Sequence, residues 1–228
     1  FNGIPLEKPL TRVRETAELV KVMLAGEKTD YDGETVFSRG YRQAPMENAP
    51  QVYLAALRPK MIEMAAEVGD GVIFNLWPKA ALPKMMEHVA IGAKAAGKDP
   101  ADVEIVNRAM VLCTDDKEYG RNLFRAAFGP YYATPVYNNF LAWAGYTEAA
   151  ATIAEGWAEK DRNKTASAMS DEMIDEIAII GNEDEIQARI KADADGGVDT
   201  HIIAPLAGKK EDVERTFAAF TGTAFQFA

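Results

Sequence analysis

The fold is decided by residues 51–75. They read Gln51-Val52-Tyr53-Leu54-Ala55-Ala56-Leu57-Arg58-Pro59-Lys60-Met61, then Ile62 to Val68, then Gly69-Asp70-Gly71-Val72-Ile73-Phe74-Asn75. The first apolar run is short and bounded by Pro50 and Pro59, which suits a strand buried on both faces. Pro59 opens a helix at its first position, with Met61, Met64, Ala65 and Val68 turned inward. Gly69-Asp70-Gly71 ends that helix, and Val72-Ile73-Phe74-Asn75 forms a second buried strand. Strand, helix and strand in this order make a parallel βα unit.

The same rhythm continues outward. Upstream, Leu10, Val13, Ala17, Val20 and Leu24 recur at helical spacing, and Gly26 stops the helix. Asp32-Gly33 suits a tight reversal. Downstream, a helix follows Trp77-Pro78 as far as Ala96, and Val103 to Thr114 forms a third strand. Asp115-Asp116 caps a helix expected to end at Phe128. Gly129 to Tyr146, rich in aromatics, breaks the pattern, and two helical segments follow, the second over 171–180. Asn182 with Glu185 forms a capping box, and Gly196-Gly197 stops that helix. Thr200 to Pro205 is the last strand, followed by a helix over 211–220.

These units predict an α/β fold of the (β/α)8 TIM-barrel type, here an incomplete barrel of about the last four βα units. No G-x-G-x-x-G turn follows any strand, which argues against a doubly wound nucleotide fold. The reading is one domain over 1–228, with an insertion region at 129–170 before the last strand. Phe1, in a turn containing Gly3 and Pro5, reads as a cut rather than a native start.

Composition narrows the function. With 48% hydrophobic and 26% charged residues the chain is globular rather than disordered. A net charge of −10 disfavours phosphate backbones and anionic lipid, so neither nucleic acid nor membrane is an expected partner. The one cysteine, Cys113, allows no internal disulfide and suits a cytoplasmic protein. It sits in Ala109-Met110-Val111-Leu112-Cys113, where a buried apolar role outweighs a nucleophilic one.

In barrels of this type ligands lie at the C-terminal ends of strands. Ala55-Ala56-Leu57-Arg58 leads into Pro59-Lys60-Met61, where small residues, free N–H groups and positive charge suit an anion. The plain alternative is a βα turn whose basic side chains face solvent. Asn75 could bond a heterocycle or phosphate, and Trp77 could stack on a ring or fill the core. Tyr131, Tyr132 and Tyr137 would line a substrate if the aromatic insertion is a lid, or pack among themselves if it is a structural loop. Ala204-Pro205-Leu206-Ala207-Gly208 could cover a ligand but carries no catalytic side chain. His88 falls within a helix and His201 at a strand start, neither with metal-ligand spacing, so no metal site is expected. Without an evident acid, base or nucleophile, the chemistry expected is redox chemistry by a bound cofactor.

At this point the sequence resembles a known family. Val52 to Met61, Glu67-Val68-Gly69-Asp70-Gly71-Val72, Ala95 to Val103 and Ile180-Gly181-Asn182-Glu183-Asp184-Glu185-Ile186 are similar to segments of the luciferase-like flavin and deazaflavin oxidoreductases. Gly3-Ile4-Pro5 with Arg12, Arg14 and Glu15 resembles the helix after that family's fourth strand. The resemblance implies a barrel that binds coenzyme F-420 or FMN. Its members include F-420-dependent dehydrogenases, reductases of methylene pterins and flavin monooxygenases. It also implies that Ala55, Ala56, Leu57, Arg58 and Met61 line the coenzyme's phosphate tail. The family's catalytic residues would lie upstream of Phe1. The expected activity is hydride transfer between F-420 and a small organic substrate. Two alternatives stand beside it: an FMN-dependent monooxygenase fed by a separate reductase, and a non-catalytic cofactor-binding or dimerising fragment. A homodimer is the expected assembly.

Overall fold

A computed structural model describes residues 7–226; the Gly3-Ile4-Pro5 segment therefore lies outside the described residues. The chain divides into two compact units. The first holds the residues up to Ile73 together with Glu87–Glu104, and the second Phe74–Met86 with the residues from Ile105 onward.

In the first unit, α1 (Pro9–Leu24) is followed by an antiparallel hairpin, β1 (Asp30–Asp32) and β2 (Phe37–Arg39), turning at Gly33–Val36 as the Asp-Gly pair predicts. Glu15 on α1 clamps that turn. Its carboxylate accepts the N–H groups of Glu34, Thr35 and Val36 at 2.7, 2.8 and 3.2 Å, and the Thr35 hydroxyl as well. These donors, led by the Thr35 hydroxyl, pull its pKa down to about 2. A depressed folded pKa stabilises above the unfolded value and is lost as pH falls through the folded one. The clamp should therefore be complete above about pH 4.5 and fade toward about pH 2. Amide exchange at residues 34–36 should accelerate across that window, and Glu15→Gln should remove the pH dependence. Exchange independent of pH in the wild type, after correction for intrinsic rates, would show that Glu15 does not hold the turn.

β3 (Tyr53–Ala55), α2 (Pro59–Val68) and β4 (Gly71–Asn75) form the parallel unit read from the sequence, with Tyr53 opposite Gly71 and Ala55 opposite Ile73. β3 departs from expectation in being short and only partly buried, with Ala55 exposed. It pairs with β4 alone among the described residues, so one edge lacks the neighbour that would shield it. The buried stripe of α2 is also shifted. Ile62, Met64, Ala65 and Ala66 are buried, while Met61 and Val68 are half-buried, because the Ile62, Ala65, Ala66 and Gly69 spacing follows the helix repeat. Lys21 pairs with Asp70 at 2.7 Å, and the other Asp70 oxygen accepts Val52 N–H at 2.7 Å. Lys98 donates to the carbonyls of Ala66 and Gly69, closing the last turn of α2.

α3 (Leu82–Ala95) leads to β5 (Glu104–Cys113), the longest strand, whose alternate residues face two apolar layers in the second unit. Met110 and Leu112 pack with Phe124, Leu141, Ile153 and Met173, while Ala109, Val111 and Cys113 pack with Ile186, Ile190 and Ala219. Burial on both faces explains why Ala109 to Cys113 form a continuous apolar run rather than an alternation.

The interruption expected after Phe128 is helical. α4 (Lys117–Tyr132) runs through Pro130, and α5 (Pro135–Trp143), α6 (Thr147–Ala158), α7 (Arg162–Ser167) and α8 (Asp171–Ile177) follow. Pro130 withholds one hydrogen bond from the Ala126 carbonyl, and Ala126 is exposed, so water can replace it. A further strand then appears, β6 (Ile179–Gly181), inside the segment read as helix over 171–180. Three residues are too few to show a period, and their isoleucines continue the apolar pattern of α8. The insertion therefore precedes β6 rather than the last strand. The capping box of α9 (Glu183–Asp195), then β7 (Thr200–Pro205) and α10 (Lys210–Ala218), fall as expected. β5 runs parallel to β6 at 111–113 and to β7 at 106–111. Among the described residues the strands do not close into a barrel.

Candidate functional site

In the first unit the candidate residues lie where β3 gives way to α2. Ala55 is exposed, and Ala56 is buried with its N–H bonded to Ile73 O at 3.1 Å. Arg58 is the extended N-cap of α2; its side chain is exposed and does not cap the helix, and no acid lies in the first turn. The start of α2 therefore keeps its positive end open, beside two small residues that let a ligand reach the backbone. Lys60 is drawn off by Glu63 at 2.7 Å, which among the described residues leaves Arg58 as the cation at this helix start. Half-buried Met61 and Leu57 supply apolar surface.

In the second unit the end of β4 meets the aromatic insertion. The Asn75 side-chain amide donates to the Tyr137 hydroxyl at 3.3 Å, and Asn75 Oδ1 accepts from Arg108 at 3.4 Å. Tyr137 stands edge-on to Tyr131 and to Tyr132, each ring centre 6.0 Å away. These tyrosines thus come together as a packed cluster. Tyr131 is half exposed, whereas Tyr132 is fully buried and its hydroxyl donates to Leu76 O at 2.9 Å. Burial raises the Tyr132 pKa well above the ordinary phenol value, so it stays protonated. Trp77 is also buried, at 3% exposure, and its indole N–H donates to Asn107 at 3.0 Å. Its ring is thus committed to the interior of this unit and offers no open face for stacking.

Two site features were missed in the sequence. Leu76 adopts φ 54, the left-handed region that a leucine rarely enters. The bond from Tyr132 holds it there, and such strain gathers at functional strand ends. A leucine gives no local warning of this. Arg108, on β5, is exposed and reaches Asn75. Its signal was available, as a lone cation inside an apolar strand. Asn75, Arg108 and Tyr137 together offer donors and one permanent charge. They can orient and polarise an anionic or carbonyl-bearing ligand.

Cys113 is buried, which raises its pKa and keeps it a thiol. His88 bonds Glu63 at 2.9 Å, and burial lowers the pKa of His201. No group of three or more potential metal ligands occurs among the described residues, nor does any helix there have the length and apolarity to cross a membrane.

Parallel βα units with their candidate groups at strand ends define a protein of the TIM-barrel type. Solved structures share that fold. They include the coenzyme F-420 dependent tetrahydromethanopterin reductase of Methanopyrus kandleri, with a TM-score of 0.74, 20% identity, and coverage of 93% of this chain and 62% of that one. An F-420-dependent secondary alcohol dehydrogenase in complex with an F-420–acetone adduct superposes with a TM-score of 0.71 at 14% identity, covering 99% of this chain and 65% of that one. The chain belongs to the luciferase-like monooxygenase family, whose model matches residues 1–200. Among curated relatives, the 5,10-methylenetetrahydromethanopterin reductase of Methanolobus tindarius is 32% identical over 213 residues, or 92% of this chain. The reductase of the same name from Archaeoglobus fulgidus is 29% identical over 206 residues, or 89% of this chain. The chain spans 65% and 62% of the lengths of these two relatives.

Proposed function

We propose that this chain is the coenzyme-tail side of an F-420-dependent oxidoreductase that moves a hydride between the coenzyme and a small organic substrate. The observation that carries this reading is the open, positively charged start of α2, with Arg58 beside Ala55 and Ala56. The names of the relatives and the residues fit one another: a phosphate-bearing tail needs such a helix start. When bound, the deazaflavin ring supplies the redox chemistry. Arg58 and the Lys60 N–H would hold the phosphate, with Leu57 and Met61 flanking the tail. In the second unit, Asn75 with Arg108 and Tyr137 would orient polar groups of a ligand. Trp77 and Tyr132 support that region from within, and Tyr131 lines the substrate side. Acid–base roles are assigned to no residue of this chain. We take 1–228 as a single domain, the C-terminal part of a luciferase-like barrel, with 129–170 as its insertion, working as a cytoplasmic homodimer, with a separate reductase as a further partner.

The test is a titration of the full-length protein carrying this segment with F-420 and, in parallel, with FMN, following coenzyme fluorescence. F-420 should bind at micromolar concentration. Arg58→Gln should weaken it about tenfold, the size of one charge-assisted phosphate contact. Micromolar FMN binding without F-420 binding would replace this reading with the monooxygenase. A stable dimer indifferent to both coenzymes would point to a non-catalytic module.

A further inference from the structure

Within the second unit, α4, α6 and α7 enclose a hollow to which no strand contributes. It has a volume of about 380 Å³ and is lined by Asn122, Arg125, Gly129, Trp157, Arg162 and Thr165 among others. A second hollow of about 470 Å³ shares Trp157, Arg162 and Thr165 and adds Gly156 and Lys160. Glycines bring the helices together on this floor. A Cβ on Gly156 would stand 2.8 Å from both Thr165 N and Thr165 Oγ1, and one on Gly129 would stand 3.7 Å from the Thr165 methyl. Thr165 itself is buried at 4% exposure, so the base of the hollow is firmly packed.

The rim is unusual for this acidic chain. Trp157 is 43% exposed, in contrast with buried Trp77. Neighbouring cations are spent within the fold. Arg125 bonds Met169 O and Asn122 and pairs with Asp171, and Lys164 pairs with Glu155 and Glu159. Lys160 and Arg162 are exposed, and among the described residues no ion pair or side-chain hydrogen bond engages either of them. Lys160 is also held in the left-handed region, φ 60, at the bend between α6 and α7. An open indole face beside two uncommitted cations matches one ligand chemistry. Such a face stacks on a flat ring, and arginine takes a carboxylate or phosphate with two parallel hydrogen bonds. The volume suits one or two fused rings.

We propose that this hollow binds a planar aromatic anion, its ring on Trp157 and its phosphate or carboxylate on Arg162 and Lys160. The site is separate from the strand ends and does not depend on which coenzyme they take.

Binding to the full chain is followed by calorimetry and by tryptophan fluorescence, with AMP as a ring phosphate and 2-naphthoate as a ring carboxylate. Adenosine is the neutral control and inorganic phosphate the ringless one. One of the two ring anions should bind saturably with a Kd below about 1 mM, the tighter identifying the preferred head group. Both controls should be at least about tenfold weaker, one tenfold step being about 1.4 kcal/mol. Arg162→Gln should weaken the anion about tenfold and Trp157→Ala should abolish binding. Both side chains are exposed, so circular dichroism should stay unchanged, and F-420 affinity should be unchanged too. Lack of saturation by either ring anion up to about 10 mM, equal binding of adenosine or phosphate, or full affinity in Arg162→Gln would each overturn the assignment.

Discussion

Gly92→Ala should destabilise the protein by about 2–3 kcal/mol, although in a helix interior that exchange ordinarily stabilises by about 1 kcal/mol. Gly92 lies inside α3, and its face meets the backbone of α2. A Cβ there would stand 2.0 Å from Glu63 O, 2.7 Å from Glu63 C and 2.8 Å from Glu63 Cα. Backbone atoms in a helix cannot swing aside as a flexible side chain can, so the helices themselves must separate. Separation would loosen Ile62, Met64 and Ala66, all fully or nearly fully buried. In a chain of this size the loss corresponds to roughly 5–10 °C in the midpoint of thermal unfolding. A midpoint that rises instead would mean that propensity prevails and that α2 and α3 do not touch at this residue.

The second large effect should come from Arg189→Met. Arg189 Nε bonds Asp193 Oδ1 at 3.0 Å, and its other nitrogens donate to Asp175 O and Glu176 O at 3.1 and 2.9 Å. Asp193 is 1% exposed, and its Oδ2 has no hydrogen-bond partner among the described residues. The guanidinium is thus a direct charge partner of a buried carboxylate and also satisfies the last carbonyls of α8. Its removal should cost about 3–5 kcal/mol, because the lost partner leaves a buried charge uncompensated. Replacing both members, Arg189→Met with Asp193→Leu, should recover most of that loss, since the desolvation penalty goes with the charge. A double-mutant cycle in urea measures the coupling. A single-mutant cost under about 1 kcal/mol would show that Asp193 draws its stability from elsewhere.

The first effect arises between helices far apart in the chain, the second from a pair four residues apart on α9 that also reaches back to α8, and distance along the chain likewise separates what could be read in advance. Features whose signals are local could be read from the chain directly. Pro59 starts α2, Asn182 with Glu185 starts α9, Gly196 and Gly197 end it, and β5 shows as a long apolar run. Each depends on backbone groups within about four residues, or on a period repeated often enough to be seen. The anion-friendly start of α2 was legible for the same reason, being a strand end, a proline and a cation in immediate succession. Tertiary structure alone decided the rest. It made a strand of Ile179–Gly181, because pairing with β5 outweighs an apolar pattern too short to be distinctive. It drew Leu76 into a left-handed turn under Tyr132, buried Trp77 against Asn107, and joined Asn75 to Arg108 and Tyr137. These partners are 30 or more residues apart, 62 in the case of Asn75 and Tyr137, and nothing within either segment names the other. Their energies exist only once packing has excluded water, which is why the site's chemistry emerged from the fold and its position from the sequence.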